Sequence, residues 1–522
     1  MEQKIPHSTE KLSRRRLLRN FAAVAAASPF SGSLLNRAAA LSAQYAFEEV
    51  PAAVSGIHWV HDAARSAEKY LPESSGAGCA FLDYDQDGWM DIYLVNSGKA
   101  NFFTPTKPMS NALYRNNRDG TFTDVTEKAG VAAAGWSTSA VWFDYDNDGK
   151  LDLFVCQFAE FDMNHGCGKD AAGQRHYCIP TTFNAEQSWL FHNNGDGTFT
   201  DVSKTAGIAG HLGKAWGVVA ADFNNDGKMD LFVSNDTVPN SLYMNRGGRF
   251  EETGLAAEVA YSNDGRARSG MGVDAADFNE DGLCDIFLAN IDEEFFSLYQ
   301  NNGDGTFDDV ATPAGIGMST RWMSGWGLKF FDYDNDGDLD LIAASGFPDD
   351  LLDSATSSIQ WRQPLLLFHH EGKKFRDVSA LSGPVFARKF PARGLAIGDF
   401  HNDGGVSVLI SNNNEAPLLL RNQVGKLNNW LGVNLVGRKC NRDAVGARVS
   451  FQAGDLKRGR FKVGGGSFLS SHDPRMVLGF GQRARIDWLE VKWPLPSGAV
   501  ERFSDLPLNR YITIEEGSGK WK

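Results

Sequence analysis

The 522-residue sequence is poor in cysteine, with six, and short of positive charge, with 51 Lys and Arg against 65 Asp and Glu. The formal net charge of −14 argues against nucleic acid as a partner, because phosphate recognition needs clustered cations. Beyond the N-terminus no apolar run is long enough to cross a bilayer as a helix. No Gly-x-Ser-x-Gly elbow, His-Glu-x-x-His helix or phosphate-binding loop occurs, so three common catalytic signatures are missing. Glycine is abundant instead, at 55 residues, beside 42% hydrophobic content. That composition supports real cores and many tight turns, and favours strands over helices.

The acidity is concentrated rather than diffuse. Asp332-Tyr333-Asp334-Asn335-Asp336-Gly337-Asp338-Leu339-Asp340 places carboxylates at positions 1, 3, 5 and 9 and Gly at 6. Such a loop wraps oxygen ligands around one hard cation, with position 7 giving its carbonyl, and Ca²⁺ is the expected ion. The same spacing yields four further ligand sets: Asp83, Asp85, Asp87, Trp89 and Asp91; Asp144, Asp146, Asp148, Lys150 and Asp152; Asp222, Asn224, Asp226, Lys228 and Asp230; Asp277, Asn279, Asp281, Leu283 and Asp285. With Asp332, Asp334, Asp336, Asp338 and Asp340, they predict about five Ca²⁺ ions. The two sets with Asn at position 3 carry less charge and should bind more weakly. A sixth copy, Asp399, His401 and Asp403, ends in Ser407 and is expected to be empty or weak. Turns without metal are disfavoured, because unpaired carboxylates packed together repel. No EF-hand is implied, since a short apolar run such as Leu231-Phe232-Val233 follows each loop.

The loops begin at Asp83, Asp144, Asp222, Asp277, Asp332 and Asp399, a period that signals a propeller or solenoid. Each unit reads as four strands: an aromatic-rich one before the loop, a short apolar one after it, a third like Ser241-Leu242-Tyr243-Met244-Asn245, and a Thr-Phe strand such as Thr198-Phe199-Thr200-Asp201-Val202. Four antiparallel strands make a propeller blade. An early copy of the last strand, Phe47-Glu48-Glu49-Val50, would complete the final blade and close the ring. The expected fold is all-β: a propeller of six blades, with a seventh left open, over 41–425, then a small β-sandwich over 426–522. Extra length at 158–186 and 348–363 is expected on one face, where propellers often bind partners. The polar stretch Gly464 to Arg475 reads either as a binding loop or as a wide turn closed by its own side chains.

Residues 1–40 read as an address. Ser13-Arg14-Arg15-Arg16-Leu17-Leu18-Arg19 precedes an Ala-rich apolar run and Ala38-Ala39-Ala40, the pattern of a twin-arginine export signal. The expected location is periplasmic or extracellular, where disulfides persist. Cys167 and Cys178 share one polar insertion and are expected to pair; a soft-metal site with His165 and His176 is the alternative.

The repeats resemble FG-GAP/VCBS propeller repeats, shared with integrin α-subunit heads. The tail, through Asn441-Arg442-Asp443-Ala444-Val445-Gly446-Ala447-Arg448-Val449 and Leu469-Ser470-Ser471-His472-Asp473-Pro474-Arg475, resembles the ASPIC/UnbV domain. Together they are similar to the cartilage acidic protein family. The resemblance implies Ca²⁺ binding and placement outside the cytoplasm, with no established reaction. No Arg-Gly-Asp occurs, so integrin binding through that tripeptide is not expected. The favoured reading is a binding or scaffold protein for a protein or glycan partner. Trp136, Trp142, Trp216, Trp322 and Trp326 are either sugar-stacking residues or propeller core. The alternative is a redox or hydrolytic metalloenzyme, in which His58, His61, His165, His176 and Cys156 converge on a transition metal.

Overall fold

The computed structural model describes residues 45–63, 65–83, 87–95, 112–125, 138–160, 167–169, 173, 175–196, 199–352 and 359–522. The expected export signal at 1–40, Asp85, Trp136 and His165 lie outside them.

Six antiparallel blades form among the described residues. Their first strands are Cys79–Leu82, Ala140–Phe143, Ala215–Ala221, Val273–Ala276, Gly325–Phe331 and Ala392–Gly398. Each leads through a carboxylate loop into a second strand, such as Asp230–Asn235, which is buried along its whole length and therefore reads as continuous apolar sequence. The ring closes as the sequence requires: Phe47–Glu49 pairs with Leu418–Asn422, Phe47 opposite Asn422, completing the sixth blade. Phe47 is fully buried against Phe331, Tyr333 and Phe386. Closure removes the edge that would otherwise template aggregation.

A repeated asparagine staples neighbouring blades. Asn301 Nδ2 donates to the Cys284 carbonyl of its own blade, at 3.1 Å, and to the Phe223 carbonyl of the preceding one, at 2.8 Å. Asn116, Asn245 and Asn422 repeat the pattern. In the fifth blade His370 takes the place, stacked on Phe375.

The C-terminal residues fold as two sheets. Asn429–Val436 pairs antiparallel with Met476–Gly481 and parallel with Tyr511–Glu515, while Leu456–Phe461, Arg448–Ala453, Trp488–Lys492 and Val500–Phe503 make the other sheet. Leu431, Val433, Phe451, Phe480, Leu489 and Trp493 fill the space between them. Ala46–Lys522 nevertheless form one compact unit, because the tail enters the propeller.

Gly464 to Arg475 is neither the binding loop nor the self-closed turn expected from its residues. It is a plug along the propeller axis. Gly464 and Gly465 add a fifth strand to the third blade, opposite Ala220 and Val219. Ser467 exchanges backbone bonds with Val273, and its hydroxyl bonds to the Leu328 amide and the Leu395 carbonyl. Leu469 N donates to Ser139 Oγ, and Ser471 pairs with Cys79 and Phe81. First strands or their lead-ins from all six blades thus hold one segment. The ring of first strands presents unpaired backbone groups, and a polar, glycine-rich segment satisfies them. At the tip, Phe468 is fully buried, with ring centroids 5.5 Å from Trp216 and 4.8 Å from Trp326.

The plug approaches so closely that side chains are excluded opposite it. A Cβ at Gly78 would stand 1.8 Å from the Leu469 carbonyl oxygen. Gly78→Ala is expected to cost about 3 kcal/mol through overpacking, read as a lower denaturant midpoint; an unchanged midpoint would contradict the seating of the plug.

Candidate functional site

Each carboxylate loop is built by its own first residue. In the fifth loop, Asp332 accepts the amides of Asp336 at 3.0 Å and Gly337 at 2.9 Å, which bends the chain around it. The bend puts Gly337 at φ 103°, a conformation that a side chain resists. Asp83, Asp144, Asp222, Asp277 and Asp399 make the same pair of bonds. The position-5 carboxylates Asp87, Asp148, Asp226, Asp281 and Asp336 accept the amides of Trp89, Lys150, Lys228, Leu283 and Asp338. The last carboxylate ties the loop to the third strand of its blade: Asp91, Asp152, Asp230, Asp285 and Asp340 accept the amides of Asn116, Asn193, Asn245, Asn301 and His370. In the sixth loop Ser407 Oγ makes that bond to the Asn422 amide.

These bonds leave carboxylate oxygens converging in each loop. Asp144, Asp146 and Asp148 bring ligand oxygens within 4.8 Å of one another, as do Asp332, Asp334 and Asp336. Asp152, Asp230, Asp285 and Asp340 have no solvent exposure at all. Burial, reinforced by neighbouring carboxylates, pushes Asp230 and Asp285 up to about 8 and Asp144 to about 7. Burial raises Asp340 to about 7 even though His369 hydrogen-bonds to it. These oxygens could hold a dication, and the donor chemistry suits a hard ion. The third and fourth loops share the geometry of the others, with Asn224 and Asn279 in the position-3 place. Sequence reasoning missed two residues: His192 and His369, one on the third strand of the second blade and one on that of the fifth, reach Asp146 and Asp152, and Asp340. Laying those strands beside Leu242-Tyr243-Met244-Asn245 would have exposed them.

The tail covers this loop face. Arg475 donates to the Gly88 carbonyl of the first loop and the Asn402 side chain of the sixth. The Lys439 carbonyl lies against Gly149, and Leu495 against Gly227. Glu280 of the fourth loop takes Arg460 and the Gly459 amide. Arg458 pairs with Asp338 of the fifth loop at 2.6 Å, which commits that side chain to the tail. In the sixth loop, Tyr511 donates to Asp399 at 2.9 Å and Trp430 packs on Gly404. The copy that has lost its last carboxylate is thus a docking point for the tail. Between plug and blades lies a cavity of about 650 Å³, where Lys329 pairs with Asp274 at 2.6 Å beside His472.

The insertions leave the opposite ends of the second strands. Cys167 and Cys178 are disulfide-bonded; Cys79, Cys156, Cys284 and Cys440 are free and buried. Arg393, fully buried, stacks on Trp326 and donates to the carbonyls of Ser74, Gly346 and Phe347. Burial lowers it to about 9. The proposed transition-metal convergence does not form among the described residues. His61 is buried, accepts the Asn414 amide on Nδ1 and is driven down to about 3 by burial, and Cys156 lies in blade core with its thiol pushed up by burial. Neither they nor His58 and His176 belong to any described group of ligand atoms near enough to share an ion. Trp216 and Trp326 are core, whereas Trp142 and Trp322 are exposed.

Models of the FG-GAP-like repeat match residues 83–155, 178–233, 222–288 and 277–343, and that of ASPIC and UnbV matches 437–520. Cartilage acidic protein 1 of Homo sapiens is 26% identical over 433 residues, covering 81% of this chain and 60% of that protein. Its Mus musculus counterpart is 26% identical over 324 residues, covering 52% and 49%. The chain thus spans about half to three-fifths of the length of the curated relatives it matches. Among solved structures, Trypanosoma rangeli sialidase in complex with the inhibitor DANA is similar at 13% identity, covering 68% of this chain and 56% of that one, with a TM-score of 0.37.

Proposed function

Because this chain belongs to the cartilage acidic protein family of FG-GAP-repeat propellers with an ASPIC/UnbV tail, we propose that it is an exported, calcium-loaded scaffold whose insertion face holds a protein or glycan partner. One observation carries the reading: the loop face is occupied by the chain's own tail. Ions bound there fasten the plug and stand away from any incoming substrate. The opposite end remains for a partner. There Ile179, Leu212, Met318 and Trp322 are exposed, and the Arg321 guanidinium lies 4.9 Å over the Trp322 ring. An exposed aromatic beside a cation and apolar neighbours suits a protein or sugar surface. Residues 1–40 supply the argument for export by the twin-arginine route.

Elemental analysis of protein purified from its export compartment tests the ion, with about five divalent cations per chain expected, calcium foremost among them, and calcium-free folded protein overturning the reading. Ile179→Asp combined with Trp322→Ala tests the face. Cross-linking to the native partner is expected to be lost while calcium content stays unchanged, and undiminished cross-linking would move the partner elsewhere.

A further inference from the structure

In two blades the third strand brings a nitrogen donor to the loop. Leu153 pairs with Phe191, which sets His192 beside Asp152, and Leu341 pairs with Phe368, which sets His369 beside Asp340. The same register carries Met244 in the third blade and Gln300 in the fourth. His192 Nδ1 lies 3.2 Å from Asp146 Oδ2 and 3.3 Å from Asp152 Oδ1. That nitrogen is shielded from solvent and makes no hydrogen bond among the described residues. His369 Nδ1 hydrogen-bonds with Asp340 Oδ1 at 3.0 Å, a contact that an ion held by both would replace, and lies 4.0 Å from Asp334 Oδ2. Each trio holds its ligand atoms within 4.8 Å.

We propose that the loops of the second and fifth blades are mixed imidazole and carboxylate sites for a first-row transition dication such as Mn²⁺ or Zn²⁺, while those of the third and fourth are oxygen sites for Ca²⁺. The inference rests on the reading of these loops as cation sites. Donors about 2.1 Å from a shared ion stand about 3 Å apart when adjacent, and His192 and His369 meet their carboxylates at that separation. Imidazole is a ligand for transition metals, whereas Ca²⁺ takes oxygen. Asp152 and Asp340 are wholly buried, and each imidazole meets Oδ1 of its carboxylate, the oxygen that also accepts the amide of the residue following the histidine. Two occurrences on one register, with Met and Gln in the intervening blades, make the chain its own control.

The test uses the full chain, stripped of metal and reloaded with Mn²⁺ alone or with Ca²⁺ in excess. The electron spin-echo signal of bound Mn²⁺ is expected to carry nitrogen modulation, and Zn²⁺ is expected to displace that Mn²⁺ where Ca²⁺ does not. His192→Gln with His369→Gln, which copies the fourth blade, should abolish the modulation and weaken Zn²⁺ binding about 10- to 100-fold while Ca²⁺ binding at the other loops persists. Mn²⁺ bound without nitrogen modulation, or Zn²⁺ affinity unmoved by the double substitution, overturns the inference and leaves the calcium scaffold standing. A folded chain that takes up no dication at all overturns both.

Discussion

Chelation with EGTA at pH 8 is expected to lower the melting temperature by about 10 °C. An ion present at about 100 times its dissociation constant stabilises the folded state by about 2.7 kcal/mol, so four to five loops contribute on the order of 10 kcal/mol. A folded unit running from Ala46 to Lys522 has an unfolding entropy of roughly 1 kcal/mol/K, which converts that loss into the stated shift. The effect has a characteristic pH dependence. Asp230 and Asp285 at about 8, Asp144 and Asp340 at about 7, and Asp277 and Asp334 at about 6 all lie above the ordinary carboxylate range. The metal-free folded chain therefore holds more protons than the unfolded one between the two ranges. Stability that is fully present at about pH 4 is lost as pH rises through 6 to 8. In chelator the melting temperature should fall from pH 5 to pH 9 (values set for the experiment, about one unit either side of that window). With Ca²⁺ in excess the slope should vanish or reverse, because the ion replaces those protons. Identical melting curves in calcium and chelator at pH 8 would refute the stabilising role.

Phe468→Ala is expected to cost about 3 to 5 kcal/mol, the range for removing a buried aromatic ring. Phe468 has no exposure and wedges between Trp216 and Trp326, in the cluster that also holds Leu71 and Phe158. Its loss acts at a distance. The plug and the loop contacts share one rigid tail, so weakening the tip should free Arg458 and Arg460 from Asp338 and Glu280. Limited trypsin digestion followed by mass spectrometry should therefore cut at Arg458 or Arg460 faster in the variant. Equal cleavage of variant and parent would show that the tail is held without the plug.

The propeller was legible because its repeat is written in short-range chemistry. Carboxylates at fixed spacing, Gly at the bend and Phe47 one strand early each specify a local geometry, and the ring follows from repeating it. The turn geometry of the carboxylate loops was legible for the same reason. The plug was not. Its glycines and serines look like any polar turn, and their role lies in backbone groups of six strands between about 70 and 400 residues away, which no local pattern announces. His192 and His369 sit on a strand that pairs with the loop's far side, so sequence distance hid them. The histidines that did attract notice, His58, His61 and His176, are only neighbours in composition.

The central claim is that ion binding in the loops and seating of the tail in the propeller axis are one event. Amide hydrogen exchange on the full chain, in Ca²⁺ and in EGTA, tests it most directly. The amides of Gly466, Ser467 and Ser471, bonded to Val218, Val273 and Cys79, should lose protection on chelation together with the loop amides of Asp148, Asp226, Asp281 and Asp336. Plug amides that stay protected while the loop amides exchange freely would contradict the account.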